Sequence, residues 1–305
     1  MLALLCGGQG LISPGIFDLA AESAAAAPIL ATAAALLGDD PRALVRAGDA
    51  AALSENRMSQ ILSVTASLAL HAAMAEALPA PCAVIGYSVG EMAAWSIAGV
   101  WPPEEALRLT ALRAEAMTAA AGEPGRLAYV RGLAETQVSA LAGAERCAIA
   151  IRNPGGLFVV GGAEAAIARF CDAAREAGAE RAAPLAVRIA AHTPLLDAAI
   201  APFATALNAS APRDPAQETL LLSGSGGGRV FRAAPALARL AAQVARPIDW
   251  AGSLEALFER GCDRFLDLGP GAPLAAMLGA VDPSATVRAA SDFRSLDGLR
   301  RWCTG

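Results

Sequence analysis
The chain has 305 residues, a formal net charge of -5 and 55% apolar residues, and about a quarter of it (78 residues) is alanine. It contains no lysine and only two histidines, which excludes Schiff-base and pyridoxal-phosphate enzymes, P-loop ATPases and Ser-Lys hydrolases. A pI near 5.2 and the lack of a basic tract argue against a nucleic-acid-binding protein.

A chain of this length sits where one core tends to split, so one large and one smaller domain are expected. In chain order, Leu2 to Cys6 reads as a buried strand running into the tight loop Gly7-Gly8-Gln9-Gly10. Alanine-rich helices follow to about Leu78. Cys82 to Ile85 is a second strand, and a helix opens after Gly86-Tyr87-Ser88-Val89-Gly90. Pro102-Pro103-Glu104-Glu105 starts another helix, with proline and acids in its first turn.

Beyond Gly122 to Gly125 the texture changes. Strands are expected at Leu127–Arg131, Cys147–Arg152, Leu157–Val160 and Leu185–Ile189, with helices at Glu135–Leu141 and Ala163–Ala177. The order β-α-β-β-α-β is the ferredoxin-like unit. The fold class is therefore α/β: a parallel-sheet domain over 1–124 and 190–305, with a ferredoxin-like small domain over 125–189. Later come a helix from about Pro194, a strand at Thr219–Leu222 and the loop Ser223 to Gly228, read as a flexible connection. Helices near Ala234–Val244 and Ser253–Arg260 precede the last clear strand, Arg264–Leu268, which Gly269-Pro270-Gly271 closes.

Cys6, Cys82, Cys147, Cys171, Cys262 and Cys303 are scattered, without C-x-x-C or zinc spacing, so no metal site is expected. Cys82, Cys147 and Cys171 lie in apolar segments and read as reduced core thiols. The N-terminal apolar run lacks the flank of a signal peptide, and Ala24–Leu37 is too short for a bilayer. The expected location is cytoplasmic, with no membrane partner.

The chemistry rests on Gly86-x-Ser88-x-Gly90 between strand and helix, the pattern of a nucleophile elbow. The glycines allow a sharp turn that lifts the hydroxyl clear, and the helix N-terminus supplies N–H groups for an oxyanion. Serine needs a base. His71 lies mid-helix and reads as a structural residue, whereas His192 sits where a strand exits into a loop. Elimination favours His192. No acid need complete a triad, because a backbone carbonyl can accept the ring N–H.

These residues together resemble the malonyl-CoA:acyl carrier protein transacylase family over nearly the whole chain. Gly8-Gln9-Gly10 is similar to its N-terminal loop, and Ser88 followed by Glu91 to its elbow. Leu112-Arg113 with Met117 resembles its arginine helix, and Asn153-Pro154 its strand pair. Gln243, Pro247 and Trp250 are similar to a further segment, and Gly269-Pro270-Gly271 to its closing turn. The resemblance implies Ser88 as nucleophile, His192 as base, and the N–H groups of Gln9 and Val89 as oxyanion donors. It implies that the carbonyl near Gln243 orients His192. Arg113 would pair with the free carboxylate of malonyl, since a guanidinium matches a carboxylate bidentately.

The chain departs from the family at Tyr87, where histidine is usual, and at Ile12, where glutamine is usual. Gly86-Tyr87-Ser88-Val89-Gly90-Glu91 most resembles the epsilon-subunit branch of malonate decarboxylase, which implies that system's carrier subunit as partner. No permanently bound cofactor is expected, and malonyl-CoA is the expected substrate. A transacylase of fatty-acid or polyketide synthesis, a serine thioesterase or hydrolase, and a non-catalytic docking subunit are the alternatives.

Overall fold
The computed structural model describes residues 1–10 and 12–305. Among these are ten strands: β1 (Leu2–Cys6), β2 (Cys82–Gly86), β3 (Gly125–Arg131), β4 (Ala148–Asn153), β5 (Leu157–Ala163), β6 (Arg181–Pro184), β7 (Thr219–Leu221), β8 (Ile248–Asp249), β9 (Arg264–Asp267) and β10 (Thr286–Ala289). The first sheet has the order β10-β9-β1-β2-β7 and is parallel throughout. Its central strands, β1 and β2, are continuous apolar runs with every residue buried, as a sheet covered on both faces requires. The helix Asn56–Met74 belongs to this core. With its continuation to Ala77 it is long and apolar enough to cross a membrane, but 78% of its apolar window is buried inside the protein.

The second sheet has the order β6-β3-β5-β4-β8. Its first four strands are antiparallel, and β8 joins β4 in parallel. Successive side chains on a strand point to opposite faces, and here they feed two cores. Ala128, Val130, Phe158 and Val160 pack on Val138, Ile167 and Phe170 of the helices Glu135–Ala144 and Glu164–Glu176. Leu127, Ile151 and Val159 face the other way and join the core of the first sheet. The molecule is thus an α/β fold of hydrolase-like type with a ferredoxin-like second layer.

The structure corrects several expectations. The fourth strand of the second sheet is Arg181–Pro184, not Leu185–Ile189: Arg181 to Pro184 pair with Arg131 to Ala128. The alternation in Leu185-Ala186-Val187 is real, but Leu185 and Val187 turn toward the space between the sheets and line a cavity there. The Ser223–Gly228 connection is packed rather than loose. A Cβ on Gly224 would stand 2.1 Å from the Gly86 carbonyl oxygen, and the Gly224 N–H donates to Glu91. Beyond Leu268 the chain adds the helix Pro273–Val281, β10 and the helix Leu296–Thr304.

Candidate active site
Ser88 sits between β2 and the helix Gly90–Ile97, with φ of 55°. Left-handed backbone costs a non-glycine residue about 1–3 kcal/mol, so the surroundings must hold it. They do so by close approach. A Cβ on Gly86 would lie 2.1 Å from the Glu91 nitrogen, and one on Gly90 2.1 Å from the Cys6 carbonyl oxygen. Only glycine lets this helix start so near β1. The Gly7–Gly10 loop lies against the same turn: a Cβ on Gly8 would be 2.9 Å from the Tyr87 carbonyl oxygen and 3.4 Å from Cβ of Ser88. The N–H groups of Gln9 and Val89 donate to no other described backbone group, so both remain open to an oxyanion.

His192 closes the pair. Its φ is 62°, and its N–H donates to the Val244 carbonyl at 2.8 Å. The ring Nδ1 lies 2.6 Å from the Gln243 carbonyl oxygen, and Nε2 lies 2.7 Å from Ser88 Oγ. A carbonyl can only accept, so Nδ1 carries the proton and Nε2 is free to accept from the Ser88 hydroxyl. Burial and then the charge of Arg113 push His192 down to about 3, which leaves the ring neutral with its Nε2 lone pair unprotonated. His71 sits in the last turn of the helix Asn56–Met74 and does not line the cavity that holds Ser88.

Arg113, on the helix Pro103–Ala120, is 1% exposed. Its Nη1 donates to Gln60 Oε1 at 2.6 Å, while Nη2 is buried without a partner. Burial lowers the guanidinium to about 10, and the charge of Glu91 partly opposes this. Gln60 in turn donates to Asn56 Oδ1 at 2.8 Å, and the Gln9 side chain donates to the same oxygen at 3.3 Å. One helix therefore supports both the oxyanion loop and the arginine. A buried guanidinium with one nitrogen unpartnered and no ion pair is costly alone and suits an anionic ligand group.

Sequence reasoning placed Ser88, His192, Gln9, Val89, Arg113 and Gln243 in one site; the structure joins Ser88, His192 and Gln243 by hydrogen bonds, sets the Gln9 loop and Val89 against the same turn, and buries Arg113 where its charge reaches His192 but not among the residues that line the cavity. Sequence reasoning missed what holds them. Gln60 and Asn56 carried no signal beyond being polar on an apolar helix. In the sequence Glu91 stands out only as the residue that completes the motif. It is 1% exposed and accepts from the Gln243 side-chain amide, from Trp95 Nε1 at 3.3 Å and from the Gly224 N–H at 3.2 Å. Burial pushes it up to about 7, with these donors working against the rise. Glu91 thereby fixes the residue whose carbonyl orients His192.

Ser88 and His192 open into a cavity of about 410 Å³ between the two sheets. Tyr129, Asn153 and Leu185 are among its walls. Asn153 is buried, and the Tyr87 hydroxyl is a polar neighbour of its side chain. The site can form an ester on a strained serine, hold an oxyanion and grip a carboxylate.

Comparison with known proteins agrees with this chemistry. Residues 19–227 match the acyl transferase domain family. The chain is 33% identical over 232 residues to the malonyl CoA-acyl carrier protein transacylase of Mycolicibacterium smegmatis, covering 75% of this chain and 79% of that one. It superposes on the acyl-carrier-protein S-malonyltransferase of Burkholderia pseudomallei with a TM-score of 0.89 and 27% identity, over 98% of this chain and 99% of that one. A malonyl-transacylase solved with its type II PKS acyl-carrier protein gives a TM-score of 0.89 at 28% identity, with the same coverage. A serine–histidine pair on a glycine elbow, set in this fold and matched over two thirds of its length, makes the chain an acyltransferase: it belongs to the acyl transferase family that includes the malonyl CoA-acyl carrier protein transacylases.

Proposed function
We propose that the protein moves a malonyl group from malonyl-CoA to the prosthetic thiol of an acyl carrier protein, through an ester on Ser88. The observation that carries this is Arg113, whose buried Nη2 lacks a partner beside a histidine whose charge state it already influences. A malonyl carboxylate would complete it. His192 Nε2 takes the Ser88 proton as Oγ attacks the thioester carbonyl, and Gln9 and Val89 N–H groups hold the oxyanion. Collapse breaks the C–S bond, His192 returns the proton to sulfur, and free CoA leaves. The carrier thiol then repeats the sequence in reverse on the Ser88 ester.

The names of the relatives support this reading, and the solved transacylase–carrier complex supports a carrier as acceptor. The hexapeptide around Ser88 supports the malonyl-loading epsilon subunit of malonate decarboxylase, with that system's carrier subunit as partner. Tyr87, the residue that sets this hexapeptide apart, packs edge-on against Trp250 with ring centroids 5.1 Å apart. The same relatives support a second context, fatty-acid or polyketide synthesis. Six buried, unpaired thiols fit a reducing cytoplasm.

Intact-protein mass spectrometry after malonyl-CoA should show one malonyl adduct on the protein and none on Ser88→Ala. An adduct that persists in Ser88→Ala would overturn the mechanism. Comparing kcat/KM on the decarboxylase carrier and on a fatty-acid carrier separates the two contexts.

A further inference from the structure
We propose that Arg131 and Arg181 form a phosphate subsite at the outer end of the cavity, where they hold the phosphate of a pantetheine thioester. The inference rests on the malonyl-transfer reading and adds the group that recognises the rest of the substrate. The two residues are direct partners on the antiparallel strands β3 and β6. Like charges set opposite each other in a sheet repel. Twelve of the chain's arginines lie within ion-pair distance of a carboxylate, among them Arg152 and Arg126 on the same sheet. That is half of its 24 arginines. Arg131 and Arg181 form neither an ion pair nor a side-chain hydrogen bond with any described residue, yet both line the cavity that holds Ser88 and His192.

Their placement fits an extended ligand. Leu127, Tyr129 and Arg131 share one face of β3 and all line the cavity, stepping outward by about 6.6 Å per pair of residues. Leu127 belongs to the apolar core around the catalytic pair, and Arg131 lies at the strand's far end. Asn153 on β4 stands level with Arg131 through Leu157 of β5, and its side-chain amide on the cavity wall suits the amides of a pantetheine arm. The Arg131 guanidinium lies over the turn after β4: a Cβ on Gly155 would come within 3.3 Å of its Nη2. Two guanidiniums side by side offer a fork of donors to a phosphate, which the repulsion between them leaves available. Both CoA and the prosthetic arm of a carrier supply a phosphate at the far end of the pantetheine arm from the thioester.

The test uses the full chain and the variants Arg131→Ala, Arg181→Ala and the double substitution. Malonyl-CoA is compared with malonyl-N-acetylcysteamine, a thioester without phosphate. KM for malonyl-CoA should rise about tenfold per arginine removed, the scale of a partly exposed charge-assisted pair. Kinetics with malonyl-N-acetylcysteamine should not change. Malonyl-4′-phosphopantetheine distinguishes the sources. A rise there places the contact on the phosphate that CoA and the carrier share, and a rise confined to malonyl-CoA places it on the nucleotide phosphates. Equal losses on the phosphate-free thioester, or no loss on any substrate, overturn the subsite. Calorimetry reads the same arginines without chemistry: CoA should bind wild type more tightly than pantetheine, and the double variant should lose that difference. If the difference stands while no malonyl thioester acylates the protein, the transfer reading fails and the subsite survives. If acylation is normal and the difference is absent, the subsite fails alone.

Discussion

Arg113→Met should make the free protein more stable while removing its malonyl chemistry. The drop of the Arg113 guanidinium from 12.5 to about 10 corresponds to about 3 kcal/mol of disfavoured charge at 1.36 kcal/mol per pH unit. Methionine removes that cost and keeps most of the volume. It also leaves Gln60 Oε1 without its donor, which costs about 1–3 kcal/mol in a buried setting. The balance favours the variant by about 1 kcal/mol, or about 2 °C in Tm for a chain of this size. On the substrate side, deleting one member of a desolvated charge pair costs about 2–5 kcal/mol, or roughly 30- to several-thousand-fold in rate. Differential scanning calorimetry without ligand gives the first quantity. Stopped-flow acylation by malonyl-CoA and by acetyl-CoA gives the second, with acetyl transfer level or raised. A Tm that falls by several degrees would show that Arg113 is a structural ion. Equal losses on both acyl groups would show that it does not read the carboxylate.

His192→Ala should slow both acylation and deacylation, because one nitrogen serves as base and then as acid, whereas His71→Ala should leave both rates unchanged; rapid-quench measurement of each half-reaction decides. Gly90→Ala should cost about 3 kcal/mol or more in urea unfolding, since its Cβ would meet the Cys6 carbonyl at 2.1 Å and overpacked backbone has little room to move. A pair of opposed titrations should appear in stability against pH. His192 is depressed from 6.5 to about 3, so the unfolded chain binds more protons in that window and stability falls as the pH falls. Glu91 is raised from 4.5 to about 7, so the folded chain binds more protons there and stability falls as the pH rises. Between pH 4.5 and 6.5, Glu91→Gln should therefore lose stability on acidification more steeply than wild type, and His192→Asn less steeply, as read from urea midpoints.

The elbow was legible because its requirements are local. Two glycines, a strand before and a helix after all lie within about a dozen residues, and the pattern shows locally even though the clash that demands Gly90 comes from Cys6 on β1. His192 was legible for a different reason: a chain without lysine and with two histidines leaves little choice of base. Arg113, Gln9 and Gln243 came from resemblance to a family, because nothing in their own surroundings marks a helix arginine or a loop glutamine. The supports of the site were not legible. Gln60 meets Arg113 across 53 positions and Glu91 meets Gln243 across 152, and no periodicity reports such contacts. The misplacement of β6 has a similar origin. Alternation in 185–189 signals one apolar side, but it cannot say whether that side faces a sheet core or an open cavity. β8 is only two residues long and gave no pattern at all.

Ser88 and His192 share a backbone geometry that glycine alone adopts without effort. Arg146 and Ala211 share that geometry, but only Ser88 and His192 carry it into the cavity. A library selected for thermostability alone should drift toward glycine at both positions and discard activity as it goes. The same tension explains why the elbow is gripped from three sides, by β1, by the Gly7–Gly10 loop and by the 223–228 segment.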